Sequence, residues 1–180
     1  MYTQVKTAQE RSIGSDIALV LGWSLLIGMC SKIAVPLPFT PIPIQTQSIL
    51  IFLGAVLFGS KRATLATLAF IAQGLAGLPV FAGGAGGLKI FLGPRGGYMV
   101  GYVVAAFLIG FILEKCKERN LKNTALALAA GNGALFFCGA TYLATFVGWN
   151  QAILLGVVPF VLGDLLKLGV ILKALQWMKR

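Results

Sequence analysis

Asp164 and Lys167 stand three residues apart in the apolar run PFVLGDLLKLGVILKAL. Asp164 is the only carboxylate inside the chain's apolar runs beyond the very start of the first. A charge in hydrocarbon costs about 2.5–3.5 kcal/mol on insertion scales, so such a pair marks a site by default. On a helix this spacing puts both groups on one face. They either neutralise each other structurally or offer a small molecule an acceptor and a cation together. Pro159 suits a first helical turn. A helix begun there places Asp164 about 7–8 Å along its axis, near the outer surface and within reach of an external ligand.

Gln45, Thr46 and Gln47 open an apolar run, and Gln73 lies in the next. Such amides bond a ligand or a neighbouring helix, and Gln47 and Gln73 are ligand candidates. The stretch Pro79–Tyr98, PVFAGGAGGLKIFLGPRGGY, holds seven glycines and two prolines. It lacks the Gly-Lys-Ser/Thr of a phosphate-binding loop. Gly83, Gly84, Gly86 and Gly87 allow a backbone to approach a ligand closely. Phe81, Ile90, Phe91 and Tyr98 argue against disorder. The stretch reads as a lid or pocket wall, with Phe81 and Tyr98 among the ligand-binding candidates. The first run carries Ala18-x-x-x-Gly22 and Ser24-x-x-x-Gly28. Small residues four apart let a helix approach, either within this chain or from a partner subunit. Asn132, between Gly131 and Gly133, has the same two readings.

The elements that must hold these residues follow from composition. The 180 residues are 58% apolar and 11% charged, with a mean hydropathy of +0.88. Soluble domains run near 45–50% apolar and about 25% charged, and a small one cannot hide this much apolar surface. The chain belongs in a bilayer, which excludes a soluble enzyme, a secreted disulfide scaffold and a disordered protein. There are no histidines, and Cys30, Cys116 and Cys138 have no metal-ligand or CxxC spacing, so neither a metal site nor a disulfide framework is indicated.

Six apolar runs are visible, at 17–35, 44–59, 63–78, 98–113, 124–148 and 159–178. They are continuously apolar, not alternating, so helices and not barrel strands cross the membrane. The reading is all-α: one six-helix membrane domain over residues 1–180, with the second and fourth runs short for the hydrocarbon core. The first run is a retained span and not a cleaved signal, since Met29-Cys30-Ser31-Lys32 is a poor cleavage site. Residues 36–43, PLPFTPIP, hold four prolines and form a stiff extended loop. Basic residues gather at 6–11, 61–62, 115–122 and 173–180, against Lys32, Lys89 and Arg95 elsewhere. The net charge of +10 is therefore a membrane-topology pattern and not a nucleic-acid footprint, with both termini cytoplasmic and the odd loops outside.

PLPFTPIPIQTQ at 36–47, GLPVFAGGAGGLKIFLGPRGGY at 77–98 and GDLLK at 163–167 resemble the BioY family, the biotin-specific S components of energy-coupling-factor (ECF) vitamin transporters. The resemblance runs from the first apolar run to the last. It implies six transmembrane helices in the cell membrane and an external biotin pocket capped by loops. The family's Asp and Lys of the last helix map onto Asp164 and Lys167. It implies a transmembrane coupling subunit and two cytoplasmic ABC ATPases as partners, no enzymatic activity, and no cofactor, biotin being the transported ligand. Docking would use a small-xxx-small face on the first helix, with Ala18, Gly22, Ser24 and Gly28 as the matches. Arg95 stands where that pattern leads one to expect a small or hydroxylated residue. Biotin has a carboxylate, two ureido N–H groups and an apolar thiophane ring. Lys167 suits the carboxylate and Asp164 the N–H groups; alternatively Asp164 orients Lys167 while loop backbone reads the ureido ring. A stand-alone carrier for biotin or a related small carboxylate, and a structural membrane subunit, are the competing readings.

Overall fold

The computed structural model describes residues 13–35, 38–40 and 42–177. The polar lead before Ile13, Pro36, Pro41 and the closing Lys179 and Arg180 lie outside the described residues. Helix α1 is Ile13–Ser31. It ends four residues short of the expected Val35, because Thr46 supplies a cap: its hydroxyl donates to the Cys30 carbonyl at 2.8 Å, one of the acceptors a helix end leaves open. The chain then forms strand β1, Ala34–Val35, paired antiparallel with β2, Ile44–Gln45, in the register Ala34 to Gln45 and Val35 to Ile44. The proline loop is the connection between these two strands.

Helix α2, Gln47–Leu75, contains one non-helical residue, Gly59, at φ 82° and ψ −179°. The chain reverses there. Trp23 Nε1 of α1 donates to the Leu50 carbonyl before the break. Beyond it Arg62 meets Asp16 and Gln73 meets Ser24, so 47–58 runs against α1 and 60–75 runs with it. The second and third apolar runs are these two halves. Lys61 and Arg62, which lie between the second and third apolar runs, belong to the start of the second half. Only glycine suits Gly59, for two reasons. Its φ lies in the left-handed region, and a Cβ there would lie 2.5 Å from Glu114 Oε1. That carboxylate accepts from Ser60 N at 2.7 Å and from Ser60 Oγ, supplying the cap for the new helix start.

A loop follows, with a 3₁₀ turn at Ala82–Gly84 and the short helix α3, Leu88–Leu92. Helix α4 is Gly96–Lys115, α5 is Leu121–Val147, α6 is Trp149–Gly156 and α7 is Val158–Trp177. At 20 residues α4 spans about 30 Å, so it is not the short span expected from its apolar run. The stretch from Trp149, which falls between the last two apolar runs, is helical and packs on α5.

Among the described residues, five helical stretches are long and apolar enough to cross a membrane: α1, α2, α4, α5 and Trp149–Trp177. Ile27, Ile51, Phe70, Ile109, Leu128, Leu143 and Ile171 form the centre of the core. Leu21, Leu25, Phe107, Phe137, Leu162 and Leu166 are exposed on the outside. An outer surface this apolar meets lipid, not water.

Candidate ligand-binding site

One end of the bundle contains β1, β2, the loop after α2, and the N-terminal ends of α4 and α7. The loop is tied down by Phe81, whose ring fills the notch left by Gly74 and packs edge-on against Phe70 at 5.7 Å. Gly87 N donates to the Gly74 carbonyl at 2.7 Å, and Ser31 Oγ donates to the Val80 carbonyl. The glycine-rich stretch is therefore an anchored cover. Beneath it lies a cavity walled by Ile42, Phe81, Ile90, Met99, Leu135, Phe136 and Phe160, with Gln45, Gln47, Ser48, Arg95, Tyr98, Tyr102, Asp164 and Lys167 as its polar members.

Asp164 sits about one and a half turns into α7 and is only 6% exposed. Lys167 Nζ donates to Asp164 Oδ1 at 2.7 Å, the same-face pairing that their spacing dictates. Tyr98 OH donates to the Gly156 carbonyl at 2.7 Å, and its ring occupies room left by Gly139 and Gly156. One turn later Tyr102 OH donates to Gln45 Oε1 at 3.3 Å and lies beside both Gln47 and Asp164. Gln47, in the first turn of α2, is 3% exposed, and its Oε1 has no hydrogen-bond partner. Arg95 precedes α4, and burial pushes its guanidinium below the ordinary arginine value; it stays cationic.

Two cations and one carboxylate leave the lining at a net +1, which suits a monoanion with an apolar body. The free volume is about 40 Å³. That holds a few waters, whereas ligand pockets run to roughly 300–1,000 Å³. Among the described residues no three acidic or thiol side chains gather where a metal ion could be held.

The cavity thus gathers Asp164, Lys167, Gln47, Phe81 and Tyr98 of the expected residues. Gln73 is not among them: its Nε2 donates to Ser24 Oγ at 2.9 Å, a bond between helices. Gly83, Gly84, Gly86 and Gly87 do not line it either; their place is in the turns of the cover, with Gly83, Gly84 and Gly87 at positive φ. On α1, Ser24 and Gly28 are buried against Gln73 and Val80, so this pair packs inside the chain and offers no outward docking face. Ala18 and Gly22 are on the exposed side, and nothing lies within 4 Å of a Cβ built at Gly22. Sequence reasoning missed Tyr102 and Ser48 as lining residues, named Gln45 only among the amides that bond a ligand or a helix, and gave Arg95 no role. A signal existed for Tyr102, which follows Tyr98 by one helical turn.

The BioY family profile matches residues 3–180. The biotin transporter BioY of Thermotoga maritima is 39% identical over 137 residues, covering 76% of this chain and 80% of that one. A probable biotin transporter BioY of Pyrococcus horikoshii is 34% identical over 152 residues, covering 84% and 88%. The crystal structure of the S-component for biotin from an ECF-type ABC transporter superposes with a TM-score of 0.83 at 28% identity, covering 94% of each chain. The chain belongs to the BioY family.

Proposed function

We propose that this chain is a multi-pass cell-membrane protein that binds biotin for uptake as the S component of an ECF-type transporter. The observation that carries the reading is the cavity: a buried Lys167–Asp164 pair and Arg95 among apolar walls, in a chain of this family. Lys167 and Arg95 are the cations for the valerate carboxylate, and Asp164 is an acceptor for a ureido N–H that also orients Lys167. The apolar walls take the thiophane ring and the alkyl chain. Biotin is cargo, and the protein does no chemistry on it. The glycine-rich cover opens for entry and closes over the ligand.

The chain makes six passes as one membrane domain, with both termini cytoplasmic; the reversal at Gly59 and the basic clusters at 61–62 and 115–122 support this arrangement. The cavity then faces outward. A transmembrane coupling subunit and two cytoplasmic ABC ATPases supply the energy, and the exposed Ala18 and Gly22 side of α1 is the docking face.

The test is equilibrium binding of labelled biotin to the detergent-purified chain. Saturable binding by the wild type that is lost in folded Asp164→Ala and Lys167→Ala supports the reading. A folded wild type that binds no biotin overturns it.

A further inference from the structure

A second cavity, of about 590 Å³, lies at the other end of the bundle, between α1, the Gly59 reversal and the end of α4. Its charged residues are Asp16, Lys61, Arg62 and Glu114. Its apolar residues are Ile13, Ile17, Val20, Phe58 and Leu65. The two kinds are sorted by depth. Lys61 and Arg62 open the helical stretch 60–75, and Leu65 lies one turn further in. Val20 lies about 6 Å beyond Asp16 along α1, and the Phe58 ring packs edge-on against Trp23, further in again, at 4.8 Å. The groove is charged at its mouth and apolar behind it, with Ile17 and Leu65 exposed along it.

Three of the four charges are committed. Asp16 pairs with Arg62, and Glu114 accepts from Ser60. Lys61 is exposed and has no hydrogen bond or ion pair among the described residues. A lysine stem lies along apolar surface while its ammonium stays at the interface. Lys115, Lys117, Arg119 and Lys122 follow at the same end, so the field at the mouth attracts an anion. The groove is separate from the Ala18 and Gly22 face: at 3.6 residues per turn, those two lie on the opposite side of α1 from Asp16, Ile17 and Val20.

We propose that this groove binds one anionic phospholipid, with Lys61 on its phosphodiester and an acyl chain along Ile17, Val20 and Leu65. On the topology proposed above the lipid belongs to the inner leaflet, where basic pockets between helices take anionic headgroups. The inference does not depend on the biotin reading.

The test is native mass spectrometry of the purified full chain, titrated with phosphatidylglycerol and, separately, with phosphatidylcholine of the same acyl chains. The wild type takes up its first phosphatidylglycerol about 5-fold more tightly than phosphatidylcholine, the effect of one cation on an anionic headgroup. Lys61→Gln abolishes that preference. Lys117→Gln removes the same charge outside the groove and leaves the preference within about twofold. Glycerol phosphate, a headgroup without chains, does not displace the lipid. Equal affinity of the wild type for the two lipids overturns the proposal, as does an unchanged preference in Lys61→Gln. An equal loss in Lys117→Gln overturns it in favour of diffuse surface charge, and displacement by glycerol phosphate overturns it in favour of a soluble-anion site.

Discussion

The two ends of the bundle each hold a carboxylate–cation pair, and the pairs have opposite settings. Asp164 and Lys167 share one helix face, with side chains 9% and 16% exposed, inside a cavity. Asp16 and Arg62 come from different helices, with side chains 37% and 18% exposed, beside the chain reversal. The first pair is expensive to bury, and no helix needs it for a cap or a turn. The second joins α1 to the start of 60–75, where Glu114 also caps the helix through Ser60. On the proposed reading the same chemical contact serves recognition at one end and chain path at the other; what differs is burial and what lies next to it.

The comparison is broken most severely at the cavity. Removing Lys167 leaves Asp164 buried and unpaired, and truncating one partner of a buried charge pair costs about 2–5 kcal/mol. Lys167→Ala should therefore weaken biotin binding about 100-fold or more in an equilibrium titration. Gly59→Val comes next, acting on folding and not on recognition. A β-branched residue at φ 82° carries about 1–3 kcal/mol of backbone strain, to which the collision with Glu114 adds. Thermal denaturation in detergent should show the loss, while the fraction that stays folded keeps its biotin Kd. Glu114→Gln is milder. It keeps an acceptor for Ser60 but surrenders the charge, a loss of about 1 kcal/mol, read as a lower midpoint with unchanged affinity. Arg62→Ala is the smallest, about 0.5 kcal/mol, because a half-exposed pair is screened.

Much of this division was legible in the residues. Asp164 and Lys167 stand out because charge in an apolar run is rare, and their spacing alone requires them to meet. The covering role of 79–98 was readable from its glycines and aromatics. The reversal at Gly59 was harder. The basic pair Lys61 and Arg62 marks the gap between two apolar runs, because charge is visible in a sequence, whereas the fit of one glycine beside Glu114 is a matter of three-dimensional packing. Helix α1 shows the same limit. It is apolar all round, so nothing in its pattern tells the Ser24 and Gly28 side, which packs on Gln73 and Val80, from the outward Ala18 and Gly22 side. Gln73 and Gln47 likewise look alike as amides in apolar runs. Only the fold separates Gln73, whose amide nitrogen bonds Ser24 between helices, from Gln47, which lines the cavity.

The most direct measurement is a paired one: biotin Kd and thermal midpoint for Lys167→Ala and Arg62→Ala, purified in the same detergent. The account predicts a Kd raised about 100-fold or more for Lys167→Ala and a Kd within twofold of wild type for Arg62→Ala, whose only mark is a slightly lower midpoint. Equal effects of the two substitutions on Kd, or a Lys167→Ala variant that binds biotin as the wild type does, would contradict the division between a recognition end and a chain-path end.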